Sequence, residues 1–146
     1  LGYLVANGDI SDTIAKIQEP QISSVSSVGQ KAAEAALTGP QGCVKEMRDS
    51  FRDRRDAVVD LLQQRDAYIY TPHGAFYIMV DIGASGLDSR EFAFDLLEKH
   101  RVAVAPGTAF GNHGSNFVRI SLATEKSDLL EGVSRLCDHL QQLQTS

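Results

Sequence analysis

Val102-Ala103-Val104-Ala105-Pro106-Gly107-Thr108-Ala109-Phe110-Gly111, five residues of turn, then Phe117-Val118-Arg119-Ile120-Ser121-Leu122: this stretch decides how the chain is read. Two apolar runs flank a glycine-bearing loop. That pattern predicts strands over 102–104 and 117–122, paired as a hairpin. Pro106-Gly107 stands where a strand has to break. Arg119 is the one charged residue of the second run, between Phe117, Val118, Ile120 and Leu122. Two readings of it follow from residue chemistry. It is an edge-strand arginine reaching solvent or a structural carboxylate such as Asp81, or it is a receptor for a substrate carboxylate. The second reading rests on the planar fork of guanidinium donors, which matches the two oxygens of a carboxylate.

The segment upstream supplies the layer around this hairpin. Residues 42–65 read as one helix, with Val44, Met47, Phe51, Val58, Leu61 and Leu62 on an apolar stripe. Its other face carries Lys45, Arg48, Asp49, Arg52, Asp53, Asp56 and Asp60, a solvated surface whose ion pairs add little. Tyr68-Ile69-Tyr70 opens a strand region that resumes as 75–82, so nearly all apolar that helices are expected on both faces. Gly83 to Gly86 reads as a flexible link. Asp88 with Glu91 forms a capping-box pattern, followed by a helix that points Phe92, Ala93, Leu96 and Leu97 inward. Thr124 or Ser127 caps the last helix. Its stripe of Leu129, Leu130, Val133, Leu136, Cys137, Leu140 and Leu143 is the clearest helical period in the chain.

The first forty residues have another character. Residues 1–6 are apolar and read as a strand ended by Asn7-Gly8. A strand at the very start suggests that Leu1 is a cut point. Asp9 or Ser11 caps a helix bearing Ile10, Ile14 and Ile17, which Pro20 is expected to stop. A serine-rich stretch leads into an alanine-rich helix over 30–37, ended by Thr38-Gly39-Pro40. The fold class is therefore α/β (α+β): a small mixed or antiparallel sheet covered by helices.

Composition narrows the function. The chain has 146 residues, 42% hydrophobic and 23% charged, with a net charge of −5, which leaves no basic footprint for nucleic acid. No apolar run approaches the ~20 residues that span a membrane. The N-terminus lacks an initiator Met and the basic region of a signal peptide. Cys43 and Cys137 form neither a metal spacing nor a redox pair and read as buried thiols in separate helices, which suits the cytoplasm. His100, His113 and His139 show no ligand spacing with acidic residues, so no metal is expected. The loop at Pro106–Gly111 lacks the Gly-Lys-Ser/Thr ending of a phosphate loop and reads as a turn that positions strands. Pro72-His73-Gly74-Ala75-Phe76-Tyr77 reads first as a turn into a core strand, and second as a place where backbone approaches a ligand closely.

Taken in order, these motifs resemble the class I and II aminotransferases, pyridoxal-phosphate enzymes of the aspartate aminotransferase-like fold. Leu1-Gly2-Tyr3-Leu4 is similar to the end of the segment in which a lysine and then an arginine precede Gly-Tyr. Gln30-Lys31-Ala32-Ala33 is similar to the interface-proximal helix that follows it. Gly74-Ala75-Phe76-Tyr77 resembles the family's glycine-x-phenylalanine strand, and Val102–Gly107 with Phe110-Gly111 resembles its Pro-Gly loop. Phe117-Val118-Arg119-Ile120-Ser121 resembles its arginine strand.

The resemblance implies that Arg119 grips the substrate's α-carboxylate and that Phe76 shapes the active site beside it. It also implies pyridoxal 5'-phosphate, amino-acid and 2-oxo-acid substrates, and a homodimer. It makes the chain a C-terminal part of such an enzyme: residues 1–40 the tail of the large cofactor-binding domain, and 41–146 the C-terminal small domain. Here the chain departs from the pattern. The lysine that bonds the cofactor and the arginine that grips its phosphate should precede Leu1, so catalytic and cofactor-binding residues are expected outside it. None of Lys16, Lys31, Lys45, Lys99 and Lys126 stands in the required setting, and the fragment alone is expected to be inactive. Three alternatives stay open. One is a non-catalytic domain that captures small carboxylates. The others are a different reaction type and a transcription regulator on the same fold.

Overall fold

Two compact units divide the chain, Leu1–Val44 and Lys45 onward. The computed structural model describes residues 1–145. The first unit holds α1 (Gly8–Ile22) and α2 (Ser27–Thr38). Residues 1–7 form no strand, contrary to expectation. A strand needs a partner ladder for its backbone groups, and the side chains here lie open, with Tyr3 91% and Val5 86% exposed. Asn7, rather than Asp9 or Ser11, caps α1, its side chain accepting from the Ile10 amide at 3.2 Å. Pro20 does not stop the helix. It sits in the last turn, where its missing N–H costs a single bond, and α1 ends at Ile22 with Ser23 at φ 60°. Ser26 caps α2 and Gly39 follows it.

The second unit is built on a three-stranded antiparallel sheet in the order β1-β3-β2. Its strands are β1 (Tyr77–Asp81), β2 (Ala105–Pro106) and β3 (Phe117–Ser121), accompanied by α3 (Gly42–Gln64), α4 (Ser89–His100) and α5 (Lys126–Gln144). From α3 onward the order is helix, strand, helix, strand, strand, helix, as expected. The pairing sets Met79 opposite Arg119 and Tyr77 opposite Ser121, with Ala105 facing Arg119 from the other side.

One face of the sheet is the core. Ile78, Val80, Val118 and Ile120 are buried there with Val58 and Leu62 of α3, Phe92 and Leu96 of α4, and Leu136 of α5. Each such side chain contributes about 1.5–3 kcal/mol on burial. The expected α5 stripe is buried at Leu129, Val133, Leu136, Cys137 and Leu140. Asp88 and Glu91 form the complete capping box, with Asp88 Oδ1 accepting from the Glu91 amide at 3.0 Å and the Asp88 amide donating to Glu91 at 3.1 Å.

Several expectations fail locally. Residues 68–70 form no strand and stay partly exposed, since no edge of the sheet reaches them. β1 is not buried on both faces but alternates, Ile78 and Val80 inward and Tyr77 and Met79 half-covered. Gly83–Ser85 is a 3-10 turn closed by Gly86 at φ 73°, not a loose link. Leu97 is 41% exposed, one position round α4 from the buried Leu96. The strand of the hairpin is at 105–106, not 102–104. Glu125 precedes α5 without a side-chain cap, so neither Thr124 nor Ser127 serves. Cys43 is exposed, whereas Cys137 is buried as expected.

Candidate functional site

Arg119 lies on the half-covered face of the sheet, because β-strand alternation sends it away from Val118 and Ile120. Tyr77 is its diagonal neighbour across the β1–β3 pair. The guanidinium carbon stands 4.1 Å from the centre of the Tyr77 ring and 4.5 Å from that of Phe110. Aromatic faces attract a cation by about 0.5–2 kcal/mol each. No carboxylate reaches it: among the described residues Arg119 makes no ion pair or hydrogen bond, and its Nε is buried without a partner. Asp81, the structural partner considered from sequence, is occupied elsewhere, accepting from the Gly83 amide at 2.7 Å.

The loop after β2 delivers Phe110. Gly107 and Gly114 are packed back to back, so close that a methyl group on either would strike the other's carbonyl oxygen. This approach folds residues 107–110 into a 3-10 turn. The turn is tied to α4 where the Thr108 amide donates to the buried Ser89 hydroxyl at 3.3 Å. The Pro106–Gly111 segment is thus held against its neighbours, with the Phe110 ring standing beside Arg119.

Phe76 precedes β1 rather than lying inside it, and its carbonyl accepts from the Leu122 amide at 2.9 Å. Ala75 at φ 61°, a left-handed conformation uncommon for alanine, turns the chain just before it. The Phe76 ring, 39% exposed, stands 4.3 Å from that of Tyr77 and 5.5 Å from that of Phe51. Arg119 and Phe76 are thus joined through Tyr77. Sequence reasoning gave Tyr77 and Phe110 only motif positions, with no role at Arg119. The signal for Tyr77 was available once the register is known, since it sits two positions from Met79 on the same face.

Among the described residues no group of three potential ligands could hold a metal ion. Four of the five lysines are held in surface ion pairs, Lys31 with Glu34, Lys45 with Asp49, Lys99 with Asp95 and Lys126 with Asp53. Lys16 belongs to α1 of the other unit. Away from Arg119, His139 is buried on α5, its Nε2 3.1 Å from Asp95 and its ring 4.8 Å from that of His100. Burial holds the His139 pKa below its usual value, against the opposing pull of Asp95.

The family profile described as Aminotransferase class I and II matches residues 1–136. A probable N-acetyl-LL-diaminopimelate aminotransferase of Bacillus subtilis is 38% identical over 136 residues, covering 93% of this chain and 35% of that protein. An aspartate aminotransferase of Pyrococcus horikoshii is 38% identical over 139 residues, covering 93% and 36%. The crystal structure of an aspartate aminotransferase from Thermotoga maritima superposes with a TM-score of 0.85 at 33% identity, covering 96% of this chain and 35% of that one. The chain spans about a third of the length of the curated relatives it matches. By the extent of these matches and the mixed helix and sheet fold they share, this chain belongs to the class I and II aminotransferase family.

Proposed function

We propose that these residues form the C-terminal part of a pyridoxal-phosphate-dependent aminotransferase, in which Arg119 receives the α-carboxylate of the amino-acid and 2-oxo-acid substrates. The observation that carries this is the state of Arg119. It is a cation held between two rings, with a buried Nε that has no partner among the described residues. A structural arginine spends its donors on the protein. Here the rings fix the guanidinium while leaving its N–H groups for a ligand with two acceptor oxygens.

In this reading the chain binds and orients. A two-point contact at Arg119 fixes the carboxylate, and with it the direction of the bond to the substrate's Cα. Tyr77, Phe110 and Phe76 line the approach and limit water around the ion pair, which strengthens it. The cofactor, when bound, supplies an electron sink at Cα. The residues present do not fit it: Lys45, Lys99 and Lys126 are engaged in surface ion pairs, and Lys16 and Lys31 belong to the other unit. We therefore assign the cofactor's lysine and phosphate contacts to sequence outside these residues, which accords with the one-third coverage of the relatives. Residues 1–40 would be the tail of the large domain and 41–146 the small domain of a cytoplasmic homodimer. No helix among the described residues is long and apolar enough to cross a membrane.

The test is kinetic and uses the full-length enzyme. Arg119→Lys keeps the charge but loses the two-point geometry, so kcat/KM for an α-amino acid should fall about 10²-fold, the loss of one to two charge-assisted hydrogen bonds. Activity toward an amine lacking the carboxylate should barely change. An unchanged kcat/KM for the amino acid would remove Arg119 from the role.

A further inference from the structure

A cavity of about 320 Å³ lies between α3 and the turn before β1, lined by Arg48, Phe51, Arg52, Arg55, His73 and Phe76. That volume suits a small molecule. Positions 48, 52 and 55 follow the i, i+4, i+7 spacing of one helical face, so three guanidinium groups converge on it. None of the lining side chains is a carboxylate. Outside the lining, one carboxylate serves three cations: Asp49 lies 3.1 Å from Arg48, 3.6 Å from Arg52 and 4.0 Å from Lys45. It can neutralise only one of them. Arg55 is paired with Asp56 at 2.6 Å and steadied by donating to the Pro72 carbonyl at 3.3 Å. The recess therefore carries excess positive charge on a chain whose net charge is −5. It also offers a flat apolar wall, where the Phe51 and Phe76 rings stack at 5.5 Å and 27°.

We propose that this recess is a second anion-binding site, separate from Arg119, for a small molecule that carries a carboxylate or phosphate on a planar apolar body. The arginines meet the anion and the ring pair meets the body. Two sources share that chemistry: the far end of a long substrate whose α-carboxylate sits on Arg119, and a free anionic ligand. One row of rings, from Phe51 through Phe76 to Tyr77, links the recess to Arg119.

The test is a two-dimensional amide NMR titration of the 146-residue chain with phenyl phosphate, alongside inorganic phosphate and benzyl alcohol. Saturable shifts at His73, Gly74 and Ala75 are expected with phenyl phosphate. Inorganic phosphate should bind more weakly and benzyl alcohol should not bind. The paired substitution Arg48→Gln and Arg52→Gln changes exposed side chains, so the fold should persist, and the spectrum itself verifies this. It should weaken phenyl phosphate about tenfold or more, while Arg119→Lys should leave it unchanged. No saturable shift, or unaltered affinity in the paired variant, would overturn the site. So would loss of binding in Arg119→Lys alone, which would place the anion on Arg119 and leave the proposed function standing. Biphenyl-4,4'-dicarboxylate, a planar apolar body with a carboxylate at each end, separates the sources. Weakening by both variants marks one ligand spanning the two sites, and weakening by the paired variant alone marks a separate ligand; either result supports the recess.

Discussion

Substituting Gly107 with alanine tests whether the close approach of two backbone segments builds the site. A Cβ at position 107 would stand 2.5 Å from the Phe117 carbonyl oxygen and closer still to that of Gly114. Ordinary carbon–oxygen contact needs roughly 3.2 Å or more, so the backbone has to move by about 0.7 Å or more, and no flexible side-chain tip can absorb it. Overpacking of this kind costs about 1–3 kcal/mol. Disturbing the two-residue β2–β3 ladder adds roughly 1 kcal/mol for each hydrogen bond weakened. The expected loss is about 2–4 kcal/mol. For a unit of about 100 residues this lowers Tm by roughly 10–25 °C. Circular dichroism melts report it, with Gly42→Ala as control, because a methyl there meets nothing within 4 Å. The variant should also lose the ring-current shift that Phe110 imposes on Arg119. A melt within about 0.5 kcal/mol of the parent, with that shift intact, would refute the reasoning.

Three further outcomes are expected. Burial pushes the Cys137 thiol up to about 11, whereas Cys43 is exposed. A disulfide reagent at pH 8 should therefore label one thiol in the native chain and both in denaturant. His139 binds its proton less readily folded than at its ordinary 6.5, chiefly because it is buried. Its stabilising contribution is therefore present above pH ~6.5 and falls as pH drops through the lowered folded value. Urea midpoints at pH 7.5 and 5.5 should differ in that sense, and His139→Phe should reduce the difference. Phe92→Ala empties a fully buried site beside His139 and should cost about 3–5 kcal/mol by urea denaturation.

The elements that the sequence made legible are those whose cause is local. The α5 stripe, the Asp88–Glu91 capping box and the helix over 42–64 each arise from residues within a few turns of one another. Residues 1–6 and 68–70 have strand composition yet form no strand, since pairing is decided by a partner edge that no local pattern reveals. The β2–β3 pairing fell at 105–106 because Gly107 and Gly114 fix where the two segments meet. Arg119 stood out as a lone charge in an apolar strand. Its aromatic setting did not, because Tyr77 and Phe110 reach it through register and loop packing across distant positions. Arg48 and Arg52 likewise read as part of a solvated helix face, and Arg55 is assigned to neither face, since nothing in the helix shows that the turn at 72–76 borders it.

The most direct measurement is a crystal structure of the full-length enzyme with a carboxylate substrate analogue. The account predicts both carboxylate oxygens within about 2.7–3.0 Å of the Arg119 guanidinium, with Tyr77 and Phe110 still against it. Density for the carboxylate elsewhere, with Arg119 paired to a protein side chain, would contradict it.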